Sequence, residues 1–219
     1  MTPNLPELKG LLFDLDGTLV DSTLDLAASS NYLRRLNGLE PLPVPVVAGF
    51  IGNGVDVLAG RLLGSSDPDL IARGVEAFKK HYREHCLDST RPYPGVEQGL
   101  KSLRARGFKM AVVTNKPTGV SRHMLERLGL AGCFGAILGG EDSVAKKPDP
   151  AALLLACGRL SLPSRDCAMV GDSEVDVAAG RNAGMFTVAI RHGIGDQARL
   201  AKAGPDLIAD SFEDFMKLF

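Results

Sequence analysis

Leu11-Leu12-Phe13-Asp14-Leu15-Asp16-Gly17-Thr18 is an apolar run that ends in two acids two residues apart. Leu8 to Asp16 reads as a short buried strand around the apolar run Leu11 to Phe13, and the acids sit where that strand should end. Side chains at i and i+2 share one face of a strand, although Gly17 can bend the chain away. Two such carboxylates repel unless a divalent cation or a shared proton offsets their charge. The pair can supply a metal ligand, a nucleophile and a general acid within a few ångströms. Asp-Gly is also an ordinary turn pair, so the fragment alone leaves a polar turn and a chemical site both open.

Outward from this strand the sequence changes character twice. Residues 20–90 show helical periodicity and no convincing strand. Asp21 or Ser22 can cap a helix carrying Leu26, Leu33 and Leu36, and Asn37-Gly38 ends it. Pro41 and Pro43 break the chain before a helical segment toward Phe50, and Gly52-Asn53-Gly54 forces a loop. Val55 to Leu63 reads as a helix, and Asp67-Pro68 starts another with Ile71, Val75, Phe78 and Tyr82 at helical spacing. From Pro92-Tyr93-Pro94-Gly95 onward, helices and strands alternate. Strands are expected at 110–113, 136–138, 167–170 and 186–190, with an edge strand at 207–209. The intervening helices are 96–106, 117–128, 149–160 and 175–183, and a last one spans 212–218. Such alternation implies right-handed crossovers and a doubly wound parallel sheet covered on both faces. The expected α/β core is 1–20 with 91–219, and the expected all-helical cap is 21–90.

The chain has 219 residues, enough for a substantial core without staples. A formal net charge of -1 supplies no global field toward nucleic acid or an anionic membrane. No apolar run approaches a membrane span, and the opening Met1-Thr2-Pro3-Asn4-Leu5-Pro6-Glu7 lacks the pattern of a secretory signal. Cys86, Cys133, Cys157 and Cys167 are scattered without a C-x-x-C pair. Reduced thiols in a cytoplasmic protein are the expectation.

In open α/β sheets, polar chemistry gathers beyond the carboxyl ends of the strands. Asp172 ends one apolar strand, and Asp176 follows four residues later. With Asp14 and Asp16 they make an all-oxygen set for a hard cation such as Mg²⁺, with Asp176 supporting rather than binding. Asp172 or Ser173 can equally serve as a cap for the helix that follows. Thr114 offers a hydroxyl, and the amides of Asn115 and Lys116 precede a helix, where anions are favoured. Lys146-Lys147-Pro148 provides a basic pair, with Lys147 the candidate cation for an anionic substrate and Lys146 a substitute.

These clusters, in this order, resemble the motifs of the haloacid dehalogenase superfamily of phosphohydrolases. Asp14 to Thr18 resembles its first motif, Thr114 its second, Lys147-Pro148 its third and Gly171 to Asp176 its fourth. Within it the chain is most similar to the phosphoglycolate phosphatases, through Asp14 to Asp21, Gly49 to Gly54 and Pro92 to Gly95. The resemblance implies that Asp14 attacks phosphorus and forms an aspartyl-phosphate. It implies that Asp16 protonates the leaving alcohol and later deprotonates water, and that Mg²⁺ is held by Asp14, the Asp16 carbonyl and Asp172. Thr114, Asn115 and Lys147 are then the phosphate-binding residues. An acid in Asp16's role calls for a low-polarity setting or a like-charged neighbour at the start of the cycle. Dehalogenases of this type lack an acid at the Asp16 position, so its presence favours transfer from oxygen. Thr18 leans toward hydrolysis over the mutase branch, where valine is usual.

The expected substrate is a small anionic phosphometabolite, with 2-phosphoglycolate first. The alternatives are a sugar-phosphate phosphatase, a pyrophosphatase, a nucleotidase and, further off, a hexose-phosphate mutase. A phosphoacceptor signalling domain is the non-enzyme alternative, although such domains lack an inserted helical cap. Gly52, Asn53 and Gly54 are candidates for substrate contact from the cap. Arg61, Arg73, Arg191 and His192 are all candidates for a substrate carboxylate. His81 and His85 at i, i+4 beside Cys86 invite a zinc site, but exposed histidines are expected there for want of a partner acid. Val20-Asp21 and Arg91 to Pro94 are the expected hinges.

Overall fold

A computed structural model describes residues 6–219. The chain opens on strand β1 (Gly10–Phe13) and reaches a two-residue strand, β2 (Val20–Asp21). Four helices follow: α1 (Thr23–Leu36), α2 (Val44–Ala48), α3 (Val55–Leu63) and α4 (Pro68–His85). The chain returns through β3 (Arg91–Pro92) and then alternates: α5 (Val96–Ala105), β4 (Lys109–Val113), α6 (Thr118–Arg127), β5 (Ala136–Leu138), α7 (Ala151–Leu160), β6 (Cys167–Gly171), α8 (Glu174–Asn182), β7 (Phe186–Ile190), α9 (Gln197–Ala203), β8 (Leu207–Ala209) and α10 (Phe212–Met216).

The six long strands form one parallel sheet in the order β5-β4-β1-β6-β7-β8. Both faces of its central strands are buried, so these read as continuous apolar runs rather than as alternating ones. Leu11, Phe13, Val112 and Val170 belong to one packed layer with Leu100, Met124, Phe212 and Phe215 from α5, α6 and α10. Leu12, Ala111, Val113 and Met169 face the other way, against Leu153 and Ala156 of α7 and Ala179 of α8. The Phe13 ring meets those of Phe212 and Phe215 at centroid distances of 6.1 and 5.9 Å.

β1 sits where the sheet order reverses: β4 and β5 lie to one side of it, and β6 to β8 to the other. Phe13 pairs with Val112 and with Val170. Asp14, Thr114 and Asp172, one or two residues further along, therefore emerge together at the carboxyl edge of three neighbouring strands.

The helices α1 to α4 pack on one another between two points where the chain crosses itself. There β2 and β3 form an antiparallel ribbon, Val20 against Pro92 and Asp21 against Arg91. Two strands of two residues carry no periodicity, so this ribbon is not visible in the sequence. α9 was likewise not expected; Asp196 caps it, accepting hydrogen bonds from the Ala198 and Arg199 amides. The other helices end within two residues of expectation. For α1, Asp21 accepts from the Thr23 amide at 3.1 Å, whereas the Ser22 hydroxyl turns to Asp16 instead.

Asp25, in the first turn of α1, ties this insertion to its exit. Its buried carboxylate accepts from the amides of Ser89 and Thr90 and from the Thr90 hydroxyl, at 2.7–3.1 Å. Asp25→Ala leaves those donors without an acceptor and should lower the unfolding free energy by about 3 kcal/mol. Urea denaturation with an unchanged m value checks this; a loss under about 1 kcal/mol would show that water replaces the carboxylate.

Candidate active site

At the end of β1 the two acids part company. Gly17 turns the chain at φ +82°, and a Cβ there would overlap the Asp172 carboxylate. Asp14 faces a buried ion cluster, while the Asp16 carboxylate faces a cavity under the helical insertion. The turn between them is closed by the Gly17 amide donating to the Val20 carbonyl at 2.9 Å.

Lys147 lies at the centre of the cluster, its side chain 3% exposed. Its Nζ is 2.7 Å from Asp176 Oδ1, 2.8 Å from the Val113 carbonyl and 2.9 Å from Asp14 Oδ1. The approach to Asp14 is off the hydrogen-bonding direction, and Asp14 Oδ1 is left buried without a hydrogen bond. Burial works against the Lys147 ammonium, but Asp14 and Asp176 outweigh it and hold its pKa above that of an ordinary lysine. The Lys147–Pro148 peptide is cis.

Asp176 uses both carboxylate oxygens. Oδ2 accepts from the Ser173 amide and hydroxyl in a capping box for α8, and Oδ1 accepts from Lys147. Asp172 Oδ2 accepts from the Ile194 and Gly195 amides at 2.7 and 2.9 Å. These two donors were not expected from the sequence, though a Gly193-Ile194-Gly195 loop just past a strand is a signal for close backbone approach.

Asp14, Asp172 and Asp176 each place a ligand atom within 4.8 Å of the others. Three carboxylates against one ammonium leave two negative charges, the deficit that a divalent cation makes good. Burial first, and then the neighbouring acids, pushes Asp14 up to about 6 despite Lys147. Burial, then Asp176 and Asp14, pushes Asp172 up to about 8 against the pull of the Gly195 and Ile194 amides. An orphaned buried oxygen on Asp14 and a strained Asp172 fit a hard cation bound by oxygen. Asp176, with both oxygens engaged, fits a supporting role.

The Asp16 carboxylate is outside that cluster. Its Oδ1 accepts from Ser22 Oγ at 2.5 Å and from Lys116 Nζ at 2.7 Å. Both contacts are donors, so the apolar or like-charged surroundings expected for it are not what touches its carboxyl. Lys116 Nζ also donates to Tyr82 Oη of α4 at 2.6 Å. Thr114 is buried at the cavity wall and its Oγ1 accepts from the Lys116 amide at 3.3 Å. The Asn115 carboxamide is not free for phosphate: it donates to the Gly52 and Lys147 carbonyls and accepts from the Lys147 amide, at 2.9–3.0 Å. It clamps the Lys147 loop and the Gly52 loop in place, leaving only its main-chain amide for an anion.

The cavity, open on one side, has a volume of about 90 Å³. Asp14, Asp16, Thr114, Lys116 and Asp172 line its floor, and Leu26, Ile51, Val55, Leu58 and Phe78 its roof. Gly52 and Gly54 are in the lining and Asn53 is not. None of the expected carboxylate binders lines it either: Arg61 donates to the Phe50 carbonyl and Arg191 pairs with Asp210. His192 stacks on Tyr93, and Lys146 pairs with exposed Asp56. His81 and His85 are half-buried rather than exposed. His81 stacks on Tyr32 and its Nδ1 bonds Ser29, while His85 Nδ1 bonds Asp88, so the two Nδ1 atoms face separate partners.

With this geometry in view, the comparisons with known proteins agree. The profile of the haloacid dehalogenase-like hydrolases matches residues 11–190, and the chain belongs to that family. It is 39% identical to a phosphoglycolate phosphatase of Chromobacterium violaceum over 98% of each chain. To that of Neisseria meningitidis it is 37% identical over 98% of this chain and 94% of the other. The crystal structure of a predicted phosphoglycolate phosphatase from Haemophilus somnus superposes with a TM-score of 0.92 at 34% identity, covering 98% of this chain and 99% of that one.

With Asp14 raised to about 6 and Asp172 to about 8, the metal-free folded state keeps protons that the unfolded chain releases from about pH 4 upward. Stability of the metal-free protein should therefore fall as pH rises from about 4 to 8 and level off above. Asp172→Asn should flatten that slope and raise the Tm in EDTA at pH 8 by roughly 3 °C or more, while abolishing the rise that Mg²⁺ gives the wild type. Thermal scans with and without Mg²⁺ across this range check it; a wild-type Tm that climbs with pH in EDTA would contradict the charge imbalance.

Proposed function

We propose that this chain is a Mg²⁺-dependent phosphomonoester hydrolase that works through a phosphorylated Asp14, with 2-phosphoglycolate as its substrate. The observation that carries the reading is the buried Asp14 Oδ1, without a hydrogen bond, beside Lys147 and in reach of Asp172. The Lys147 ammonium 2.9 Å away fixes this carboxylate, and Asp14 lines the cavity, so the group is desolvated and oriented toward a bound ester, as a nucleophile must be.

Asp14 attacks phosphorus, the P–O ester bond breaks, and the leaving alkoxide takes a proton from Asp16. Asp16 then removes a proton from water, which attacks the aspartyl-phosphate and restores Asp14 with release of phosphate. When bound, Mg²⁺ held by Asp14, the Asp16 carbonyl and Asp172 supplies positive charge against which an anionic nucleophile can meet an anionic ester. Lys147, which is behind Asp14 and outside the cavity lining, offsets the charge of the nucleophile as it meets an anionic ester, and Asp176 and Asn115 fix that lysine and its loop. The Thr114 hydroxyl and the amides ahead of α6 receive the remaining phosphoryl oxygens.

Residues 21–90 serve as the cap on this reading, with the β2–β3 ribbon as its hinge. A roof of aliphatic side chains over about 90 Å³ suits a small substrate shut away from water. The names of the relatives support phosphoglycolate within that class. A cytoplasmic location is supported by the cysteine spacing, and among the described residues no helix is long and apolar enough to cross a membrane.

Asp14→Asn should lower phosphate release from 2-phosphoglycolate by roughly 10⁴-fold or more, with circular dichroism and Tm retained. Near-normal turnover in a folded variant would remove Asp14 from the nucleophile role. Asp16→Asn should accumulate enzyme carrying one phosphoryl group on Asp14, seen as an intact-mass gain after brief mixing with substrate. Intact mass that never changes under those conditions would count against Asp16 as the base of the second step.

A further inference from the structure

Lys116 is used by none of the steps above, yet it is the more unusual lysine. Its side chain is 4% exposed, it arises from the loop after β4, and its Nζ reaches across to the insertion. Among the described residues that line the cavity it is the only cationic side chain. Two of its three N–H bonds are accounted for, by Asp16 Oδ1 at 2.7 Å and by Tyr82 Oη at 2.6 Å. The ammonium also sits 4.5 Å from the centre of the Tyr82 ring. A lysine needed only to neutralise Asp16 would require neither a tyrosine anchor nor a face on the cavity.

The position has a chemical meaning. On the proposed mechanism Asp16 touches the ester oxygen of the leaving group. Lys116 touches the same carboxylate, so it lies one step further from phosphorus than the bond that breaks. A group attached to the first carbon of the leaving alcohol would fall beside Nζ. The roof above is aliphatic and aromatic, offering no other partner for a charge.

We infer that Lys116, held by Tyr82, is the specificity-determining residue that binds a carboxylate on the carbon bearing the phosphoester. The 2-phosphoglycolate already proposed carries such a carboxylate, and on this assignment the cation that reads it comes from the core sheet's edge rather than from the cap arginines. The inference rests on the phosphomonoesterase reading and deepens it. It also explains why Arg61 and Arg191 are occupied elsewhere.

The test compares 2-phosphoglycolate with ethyl phosphate, which has the same leaving-group length without the carboxylate, both with Mg²⁺ in excess. Wild type should prefer the carboxylated ester in kcat/KM. Lys116→Met, which also perturbs Asp16, should slow both esters, but should cut the preference itself by roughly 10- to 100-fold, the worth of one charge-assisted hydrogen bond. Tyr82→Phe should reduce the preference by a smaller factor through KM. Equal losses on the two esters in Lys116→Met would overturn the inference and make Lys116 a partner of Asp16 alone. A wild type that hydrolyses both without preference would overturn it too, while leaving the phosphatase reading standing. A wild type that turns over neither would end both. Should Lys116→Met not fold, wild type alone decides. Glycolate should inhibit ethyl phosphate hydrolysis at least tenfold better than glycolamide, and equal inhibition would overturn the assignment.

Discussion

Three carboxylates held within 4.8 Å of one another against a single buried ammonium set the terms for everything else in this molecule. Removing charge from water is costly, and attraction repays that only where geometry supplies partners. Asp176 has its partners in Lys147 and in the amide and hydroxyl of Ser173. Asp172 has two backbone donors. Asp14 has a cation beside it and an oxygen still unbonded. The cluster is therefore incomplete in a specific way, short of positive charge and short of one partner on the residue that fits the nucleophile. Function in this fold follows from that shortage.

The sheet makes the cluster possible by reversing its strand order at β1. Right-handed crossovers carry the chain first to one side and then to the other, and the ends of β4 and β6 flank Asp14 with no helix between. The loop after β4 is short and is bonded to the loop that follows β5. Asn115 grips the Lys147 main chain at both ends of its carboxamide and also holds the Gly52 carbonyl of the insertion. The roof over the cavity is thus wired to the same loop that aims Lys147. The exposed Lys146–Asp56 pair spans the same gap but is worth little in water. The buried contacts at Asn115 and Tyr82 set how the insertion sits.

Much of this was legible because it is local. Apolar runs of three to five residues ending in Asp14, Thr114 and Asp172 announce strands whose edges carry polar chemistry, and Phe13, Val112 and Val170 do fall in register. Lys147 was legible through the proline beside it. What stayed hidden is non-local. Lys116 meets an acid 100 residues away and a tyrosine 34 residues away, and nothing in Thr-Asn-Lys-Pro distinguishes its side chain from a solvated one. Asn115 sits at a helix start, where its main-chain amide can meet an anion; only the folded loops show that its side-chain carboxamide is spent on the Gly52 and Lys147 main chain. Arg61 and Arg191 looked available because charge in a sequence carries no direction. The Ile194 and Gly195 amides that hold Asp172 are main-chain groups, invisible to any reading of side chains.

Asp14 and Asp16 show how one turn separates two chemistries. In a flat strand the two would share a face and repel. β1 ends at Phe13, so the pair lies beyond the flat strand, and the positive φ at Gly17 curls the chain back on Val20 directly after Asp16. Asp14 enters a dry cluster where burial raises its proton affinity until a cation is present. Asp16 faces a cavity, with a hydroxyl and an ammonium in contact. Lys116 joins the two sides of that cavity, because its one ammonium holds Asp16 from the sheet edge and Tyr82 from the insertion. Any anion that draws on this Nζ must therefore do so within contact of both.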